Sequence, residues 1–592
     1  MDSSVLKGGE FIIKESKAED VFIPEDFDEE QLMVQQMAKD FVDAEVKAHV
    51  HKLEKQEDNI AGTMLEKAGE LGLLASHMPE QYEGTSLDTN TNTLICEEMG
   101  KSHSFSVSFA AHTGIGMLPI LYFGNEEQKQ KYLPGLCSGK LKACYCLTEP
   151  SAGSDALSGK TKAVLNNAGT HYILNGQKMW ISNSGFADIF IVFAKIDGNL
   201  FTGFVVERDT EGLTLGAEED KMGIKGSSTR QVFFENAPVP KENVLGTIGK
   251  GHHIAFNVLN VGRFKLGALA LGGAKDSIDL AVNYAKERIQ FKQPIANFGA
   301  IQYKMAEQCI KAYALESSQY RVSNLIQDRI NSIKGTGKGV EEAKLKSAEE
   351  YAIECAILKV YGSEVLDYIV DETVQIFGGL GFSEEYGAAR AYRDSRINRI
   401  YEGTNEINRL LSVDMLIKRA MQGKLDITGP AWEVQKELVA VPSNTKPEGP
   451  FGDQKLVLQN LKKVLLIVAG GAVKQQMDGK LNLKEEQEIV MNMADIMIDI
   501  FNFESVLLRI EKRKAMGLDI SVQEHILNVL LHDVADSVSK NATDALISFA
   551  EGDELKMMLM GVKRFTKHTP CNVKESRRAI AKKLVQENGY CF

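Results

Sequence analysis

Residues 171–207 read HYILNGQKMWISNSGFADIFIVFAKIDGNLFTGFVVE, and this stretch decides the fold class. Short runs rich in β-branched and aromatic residues (171–174, 178–182, 189–195 and 201–207) are separated by Asn175-Gly176 and Asp197-Gly198. Both dipeptides accept the positive φ that tight hairpin turns require, so a hairpin is predicted at each. The β-rich character spans about 143–251, and Pro238 and Pro240 are expected to break the chain after 232–234.

Outward from this stretch the period changes to that of helices. Before it, segments such as 30–53 place apolar residues every three or four positions, with Pro79 and Gly84 in a polar loop. After it, 254–288, 301–330 and 340–377 are long periodic segments, cut at Pro294 and at the Gly335-Thr336-Gly337-Lys338-Gly339 stretch. That stretch lacks the spacing and the preceding strand of a phosphate-binding loop, and reads as solvated. Pro430, Pro442, Pro447 and Pro450 mark 427–453 as a linker, and helical periodicity returns with Leu458, Leu461, Leu465 and Val468 on one face. The expected architecture is mostly α with a central β-domain (α+β). It comprises an N-terminal extension (1–27), a helical domain (28–142), a barrel-like β-domain (143–251), a helical bundle (252–426), the linker and an extra C-terminal helical domain (454–592). A β-domain between helical domains makes a cleft suited to a large cofactor.

The bulk numbers narrow the function. A chain of 592 residues needs several domains, and 44% hydrophobic with 25% charged residues is the balance of a globular protein. A net charge of −13 argues against wholesale nucleic-acid binding. The most apolar short run, 464–473, covers about half of what a bilayer core requires, so no membrane span is expected. Glu10, Glu15, Glu19 and Asp20 give the N-terminus neither a secretory nor a transit-peptide character, and a cytoplasmic, bacterial-type protein is expected. The eight cysteines form no CxxC pair and no metal-ligand spacing with histidine, so reduced thiols and no metal are expected.

Four segments carry the chemistry: Tyr145-Cys-Leu-Thr-Glu-Pro-Ser-Ala-Gly-Ser-Asp155; Lys178-Met-Trp-Ile-Ser-Asn183; Arg288-Ile-Gln-Phe291 followed by Gln302; and Gln375-Ile-Phe-Gly-Gly-Leu-Gly381 running on to Arg399-Ile-Tyr-Glu-Gly-Thr-Asn-Glu406. In order and spacing they resemble the acyl-CoA dehydrogenase family over about 28–424. The extra C-terminal helices are similar to its long-chain and very-long-chain branch.

The resemblance implies FAD-dependent conversion of a fatty acyl-CoA to its trans-2-enoyl-CoA, with electrons passed to an electron-transfer flavoprotein. It makes Glu402 the base that removes the α-proton, and has the Glu402 N–H donate to the thioester oxygen. A free glutamate is a weak base, so burial by a greasy acyl chain is expected to raise its pKa. The resemblance also implies that Tyr145, Leu147, Thr148, Gly153, Ser154, Trp180, Ile181 and Ser182 line the flavin, with Trp180 stacking on it. Arg288, Phe291, Gln302, Gln375, Phe377, Gly378 and Gly379 would meet the pyrophosphate and adenine of an FAD held by a neighbouring subunit. Thr404 and Glu406 would complete the cofactor contacts, whereas Glu149 reads as structural. Ser154, Asn260, Arg263, Tyr401 and Gly403 would contact the acyl-CoA. Some family members carry the base on an earlier helix, at the position matched here by Val261, but 256–264 holds no carboxylate.

Small residues at Ser102, Ser104, Ser106, Ser108, Ala110 and Ala111 suit either a deep acyl tunnel or close helix packing. The C-terminal helices are expected to favour a homodimer; membrane-surface contact through Lys462-Lys463 and Arg577-Arg578 is the lesser alternative. An acyl-CoA oxidase using oxygen, or a non-catalytic scaffold on the same fold, are the rival readings.

Overall fold

Asp28 opens the first long helix, Glu29–Phe41: its carboxylate accepts the Gln31 N–H at 2.9 Å, and the Gln31 side chain accepts the Asp28 N–H in return. Such a reciprocal cap satisfies donors that a helix start leaves free, and Asn125 with Gln128 repeats it at Glu126–Cys137. In the computed structural model, which describes residues 5–440 and 447–592, the second of these helices and Leu118–Phe123 cover one face of a central sheet, while Glu29–Phe41 packs among the other N-terminal helices.

The sheet has eight strands: β1 (Ala143–Cys146), β2 (Lys162–Leu165), β3 (His171–Ser182), β4 (Ile189–Ile196), β5 (Leu200–Glu207), β6 (Leu213–Glu218), β7 (Thr229–Pro240) and β8 (Val244–Leu245). Their order is β6-β7-β3-β2-β4-β5-β8, with β1 parallel to β4. Among the described residues β6 and β8 do not pair, so the barrel-like domain is one continuous but unclosed sheet. Alternation along β4 fills two cores. Ile189, Ile191 and Phe193 pack with Leu118, Leu121 and Leu133 of the N-terminal helices, whereas Phe190 and Val192 pack with Phe204 and Val232.

Two turn expectations part company here. Asp197 and Gly198 have φ of 50° and 79° and join β4 to β5 as a hairpin. Asn175-Gly176 makes no turn: β3 runs through it, with a register shift against β7 between Leu174 and Gly176. Glycine is needed there for close approach, because a Cβ at Gly176 would meet Thr161 Cα at 2.7 Å. Pro238 and Pro240 do not break the chain either; they pair with Ile173 and His171 inside β7. β6 pairs with β7 only as far as Phe234, so the prolines sit where β7 has one open edge.

The expected bundle forms from Gly251–Glu287, Gly299–Lys334, Val340–Glu350, Ala352–Phe377 and Asn405–Met421. Beyond it, the stretch expected as a linker contains a helix, Thr428–Val439, with Pro430 in its first turn, where a missing N–H is harmless; Pro442 lies outside the described residues. The C-terminal helices share a core with the bundle: Leu315 and Ile369 belong to the same apolar cluster as Leu461, Ile500 and Leu527.

The N-terminal extension is a strap across that junction. Phe11 and Ile12 enter the shared core. The Gly9 N–H donates to Glu354 at 2.7 Å, and Glu25 accepts from Arg509, whose other arm reaches Glu316 at 2.6 Å. The basic pairs considered for a membrane surface are largely engaged inside the protein: Lys462 with Glu504 at 2.6 Å, Lys463 with Glu437 at 2.9 Å and Arg577 with Glu307 at 2.6 Å. By length and composition three helices are apolar enough to cross a membrane, contrary to the sequence expectation: Ser104–Phe123, Gly251–Glu287 and Gly452–Met477. Most of each apolar window is buried inside the fold, which is why these helices are apolar all round.

Candidate active site

Glu402 and Gly403 are consecutive left-handed residues, φ 58° and 81°, between a short 3-10 turn (Arg396–Arg399) and the helix Asn405–Met421. Glycine takes this conformation freely, whereas glutamate is strained by about 1–3 kcal/mol and must be held. The holding groups come from three helices. Arg263 Nε donates to the Glu402 carbonyl at 3.2 Å. Asn408 Nδ2 donates to the Gly403 carbonyl at 2.8 Å and to the Thr404 carbonyl at 3.0 Å, and Lys359 Nζ reaches the Gly403 carbonyl at 2.7 Å. Thr404 caps the following helix by accepting the Ile407 N–H, and Glu406 lies exposed in its first turn. Arg263 is itself buried and donates to Asn260 Oδ1 at 2.9 Å.

With its carbonyls engaged, the turn leaves free groups at Glu402. The Glu402 N–H makes no hydrogen bond among the described residues, and Glu402 Oε2 is closed off from solvent without a partner. Burial pushes the Glu402 carboxyl up to about 7, against the opposing charges of Arg263 and Lys359. The side chain points at the helix Gly251–Glu287. A Cβ added at Gly262 would meet Oε2 at 2.7 Å, so the helix position facing this carboxyl is Gly262; Val261 packs beside the apolar cluster under the N-terminal helices. Tyr401, next to Glu402, bonds Asn398 Oδ1 at 2.5 Å and lines a cavity of about 70 Å³ together with Ser106, Val107, Leu269, Ala270 and Gly273. Ser102, Ser104 and Ser108 are fully buried, so the small-residue stretch serves packing as well as this cavity.

A second group of site residues lies on β1, on the loop after it and on β3. Tyr145 is buried with its hydroxyl unpartnered, and its ring packs edge-on to Phe193 at 5.2 Å. The loop after β1, with Leu147 and Thr148, is tied to β3. Lys178 pairs with Glu149 at 2.7 Å inside the protein, and the Met179 N–H donates to the Thr148 carbonyl at 2.9 Å. This gives Glu149 the structural part read for it. The irregularity between Lys178 and Ile181 turns Trp180 (φ 56°) out of the sheet, 60% exposed, while Ile181 is buried and Ser182 partly exposed. Gly153 and Ser154 are exposed on the same loop as Glu149.

Arg288, Phe291, Gln302, Gln375, Phe377, Gly378 and Gly379 gather elsewhere. The ring of Phe377 stacks on Tyr284 at 3.9 Å, and the Tyr284 hydroxyl donates to the Phe377 carbonyl at 3.2 Å. This brings the Gln375–Gly379 turn beside the helix end that carries Arg288. Arg288, Gln375, Gly378 and Gly379 are exposed, Gln302 is partly so, Phe291 is 88% exposed, and nothing crowds a Cβ at Gly378 or Gly379. Arg288 follows the helix whose early turns hold Gly262, and 26 rises of 1.5 Å put about 39 Å between them. One dinucleotide does not span both places.

Sequence reading missed Gly262, Lys359, Asn405 and Asn408 as parts of the Glu402 setting. Lys359 had a signal, a lone cation in the apolar run 355–360 of a buried helix. Asn405 stood inside the Tyr401–Glu406 motif, whereas Asn408 had no signal, since an asparagine that caps a carbonyl looks like any other polar residue.

An exposed indole on a strand held by a buried ion pair fits stacking on a planar flavin, and an exposed Arg beside open glycines fits a pyrophosphate. Sequence models described as acyl-CoA dehydrogenase N-terminal, middle and C-terminal domains match residues 28–140, 144–237 and 249–417. A further model, also described as an acyl-CoA dehydrogenase C-terminal domain, matches 460–564. The chain is 45% identical to a probable acyl-CoA dehydrogenase of Bacillus subtilis over 592 residues, covering 99% of each. It is 41% identical to the human very long-chain specific acyl-CoA dehydrogenase over 68% of this chain and 58% of that one. A crystal structure of an acyl-CoA dehydrogenase complexed with FAD from Bacillus anthracis superimposes with a TM-score of 0.96 at 46% identity, covering 99% of this chain and all of that one. Motifs, domain order and whole-chain geometry therefore agree: this chain belongs to the acyl-CoA dehydrogenase family of FAD-dependent oxidoreductases.

Proposed function

We propose that the protein dehydrogenates long-chain fatty acyl-CoA to trans-2-enoyl-CoA, with Glu402 as the base. The observation that carries this reading is a carboxyl with a closed-off, partnerless Oε2 and a raised pKa, on a turn whose own N–H is free. Glu402 takes the proton from C2, and its N–H donates to the thioester oxygen as that oxygen gains charge. FAD, when bound, supplies the acceptor for the hydride leaving C3, which no side chain provides. As both hydrogens leave, the C2–C3 double bond forms. Arg263, Asn408 and Lys359 keep the turn in place throughout. Tyr145, Thr148, Trp180 and Ser182 would hold the flavin end, and Ser154, Asn260, Tyr401 and Gly403 the acyl-CoA.

The long-chain preference rests on the very long-chain relative. The separation of Arg288 from the Glu402 setting supports a homodimer in which each subunit's Arg288 cluster serves the partner's FAD. Electron-transfer flavoprotein is the acceptor proposed.

The test is anaerobic titration of the FAD-loaded protein with acyl-CoAs of increasing length. Palmitoyl-CoA should bleach the flavin, butyryl-CoA hardly, and Glu402→Gln should bind but bleach at least a hundredfold more slowly. Near-normal bleaching by Glu402→Gln would refute the base assignment; bleaching by short chains alone would overturn the chain-length reading.

A further inference from the structure

Lys359 is fully buried in the helix Ala352–Phe377, where a cation is out of place unless something compensates it. Its ammonium donates to two neutral acceptors, the Gly403 carbonyl and Asn405 Oδ1, both at 2.7 Å. Three carboxylates lie within charge range: Glu402, Glu364 on the same helix, and Glu406 on the helix Asn405–Met421. Glu364 is engaged by both arms of Arg409, at 2.7 and 2.9 Å, and by Asn405. Glu406 is exposed. What remains for Lys359 is Glu402, whose Oε2 has no partner of its own.

We propose that Lys359 is a positioning residue for the base: its ammonium clamps the left-handed Glu402–Gly403 turn and holds the Glu402 carboxyl toward its ionised form. A neutral donor would secure the turn without the expense of burying a charge, so the charge itself has a task. The groups facing Glu402 assign that task. Arg263, from the helix Gly251–Glu287, is the other cation. Tyr145 on β1 and Tyr401 also face it, but burial holds both phenols above their ordinary range, and they stay neutral at working pH. Burial in turn brings Lys359 down to about 7, beside a carboxyl at about 7. Each charge favours the ionised form of the other, so loss of the ammonium should raise the Glu402 carboxyl further.

This inference rests on Glu402 being the base, but it can be tested without turnover. In the FAD-loaded protein without acyl-CoA, the infrared band of the protonated Glu402 carboxyl is identified as the one missing from Glu402→Gln, and its titration is followed with pH. Lys359→Met should move the midpoint up by about one pH unit, the usual effect of losing one nearby opposite charge. Flavin reduction by palmitoyl-CoA at pH 6 should fall about tenfold more than at pH 9. Lys359→Gln keeps a donor for the turn and loses the charge, so it should show the same midpoint shift even where the Met variant loses FAD. A midpoint unchanged in Lys359→Gln, or a rate lowered equally at every pH, would overturn the proposal. Near-normal bleaching by Glu402→Gln would instead remove the base assignment and leave the infrared result standing by itself.

Discussion

Replacing Gly262 by alanine places one methyl group against the base. The new Cβ would stand 2.7 Å from Glu402 Oε2 and 3.0 Å from its Cδ, contacts that real carbon atoms do not keep. The helix Gly251–Glu287 is the stiffer partner, so the carboxyl gives way by about 0.5–1 Å. Misplacing a reacting group by about 1 Å costs up to roughly a hundredfold, and flavin reduction by palmitoyl-CoA should fall about 10–100-fold, a barrier rise of about 1.4–2.8 kcal/mol. Folding does not confound the outcome, because alanine is favoured over glycine in a helix interior by about 1 kcal/mol. The assay is anaerobic stopped-flow bleaching of the flavin at saturating acyl-CoA, with FAD content and melting temperature as controls. A variant that melts no lower, keeps its FAD and is reduced within about twofold of the original rate would refute the placement of Glu402 against this helix.

Flavin reduction at low acyl-CoA concentration should rise as pH climbs through about 7, where Glu402 loses its proton, and a rate flat from pH 5.5 to 8.5 would contradict the buried carboxyl. The stability effect has the opposite sign. The folded carboxyl holds its proton up to about 7 and the unfolded one only to about 4.5, so the stability tied to that proton is fully present below 4.5 and lost as pH rises through 7. Glu402→Gln should therefore gain on the parent protein by up to about 3 kcal/mol between pH 4.5 and 8, seen in denaturant midpoints. At the strap, Arg509→Met removes the cation shared by Glu25 and Glu316, which keep Arg513 and Lys275, and should destabilise the protein by about 1.5–3 kcal/mol, with a lower melting temperature and faster proteolysis near residue 25. An unchanged melting curve would show that the strap is not held by that pair.

The helix–sheet–helix order was legible because it is local. Heptad-like and alternating periods, Asp197-Gly198 as a turn and Asp28 as a cap need only neighbours in the chain. Glu402 was legible because Tyr-Glu-Gly-Thr-Asn keeps a recognisable order of side chains around a left-handed turn. Asn175-Gly176 misled because a glycine needed for close approach to Thr161 has the same letter as one needed for a turn. The difference lies in a strand that pairs across the sheet. The extra helical domain was legible as helices, but not as part of one core with the bundle, since the contacts joining Leu315 to Ile500 separate residues nearly two hundred positions apart. The strap and the Glu402 setting share that character. Glu25 meets Arg509 only once the helices have packed. The sequence by itself determined which residue types stand ready for acid–base and flavin chemistry. The tertiary structure alone decided which carboxyl loses its water, because burial and charge proximity depend on distances that no single segment contains.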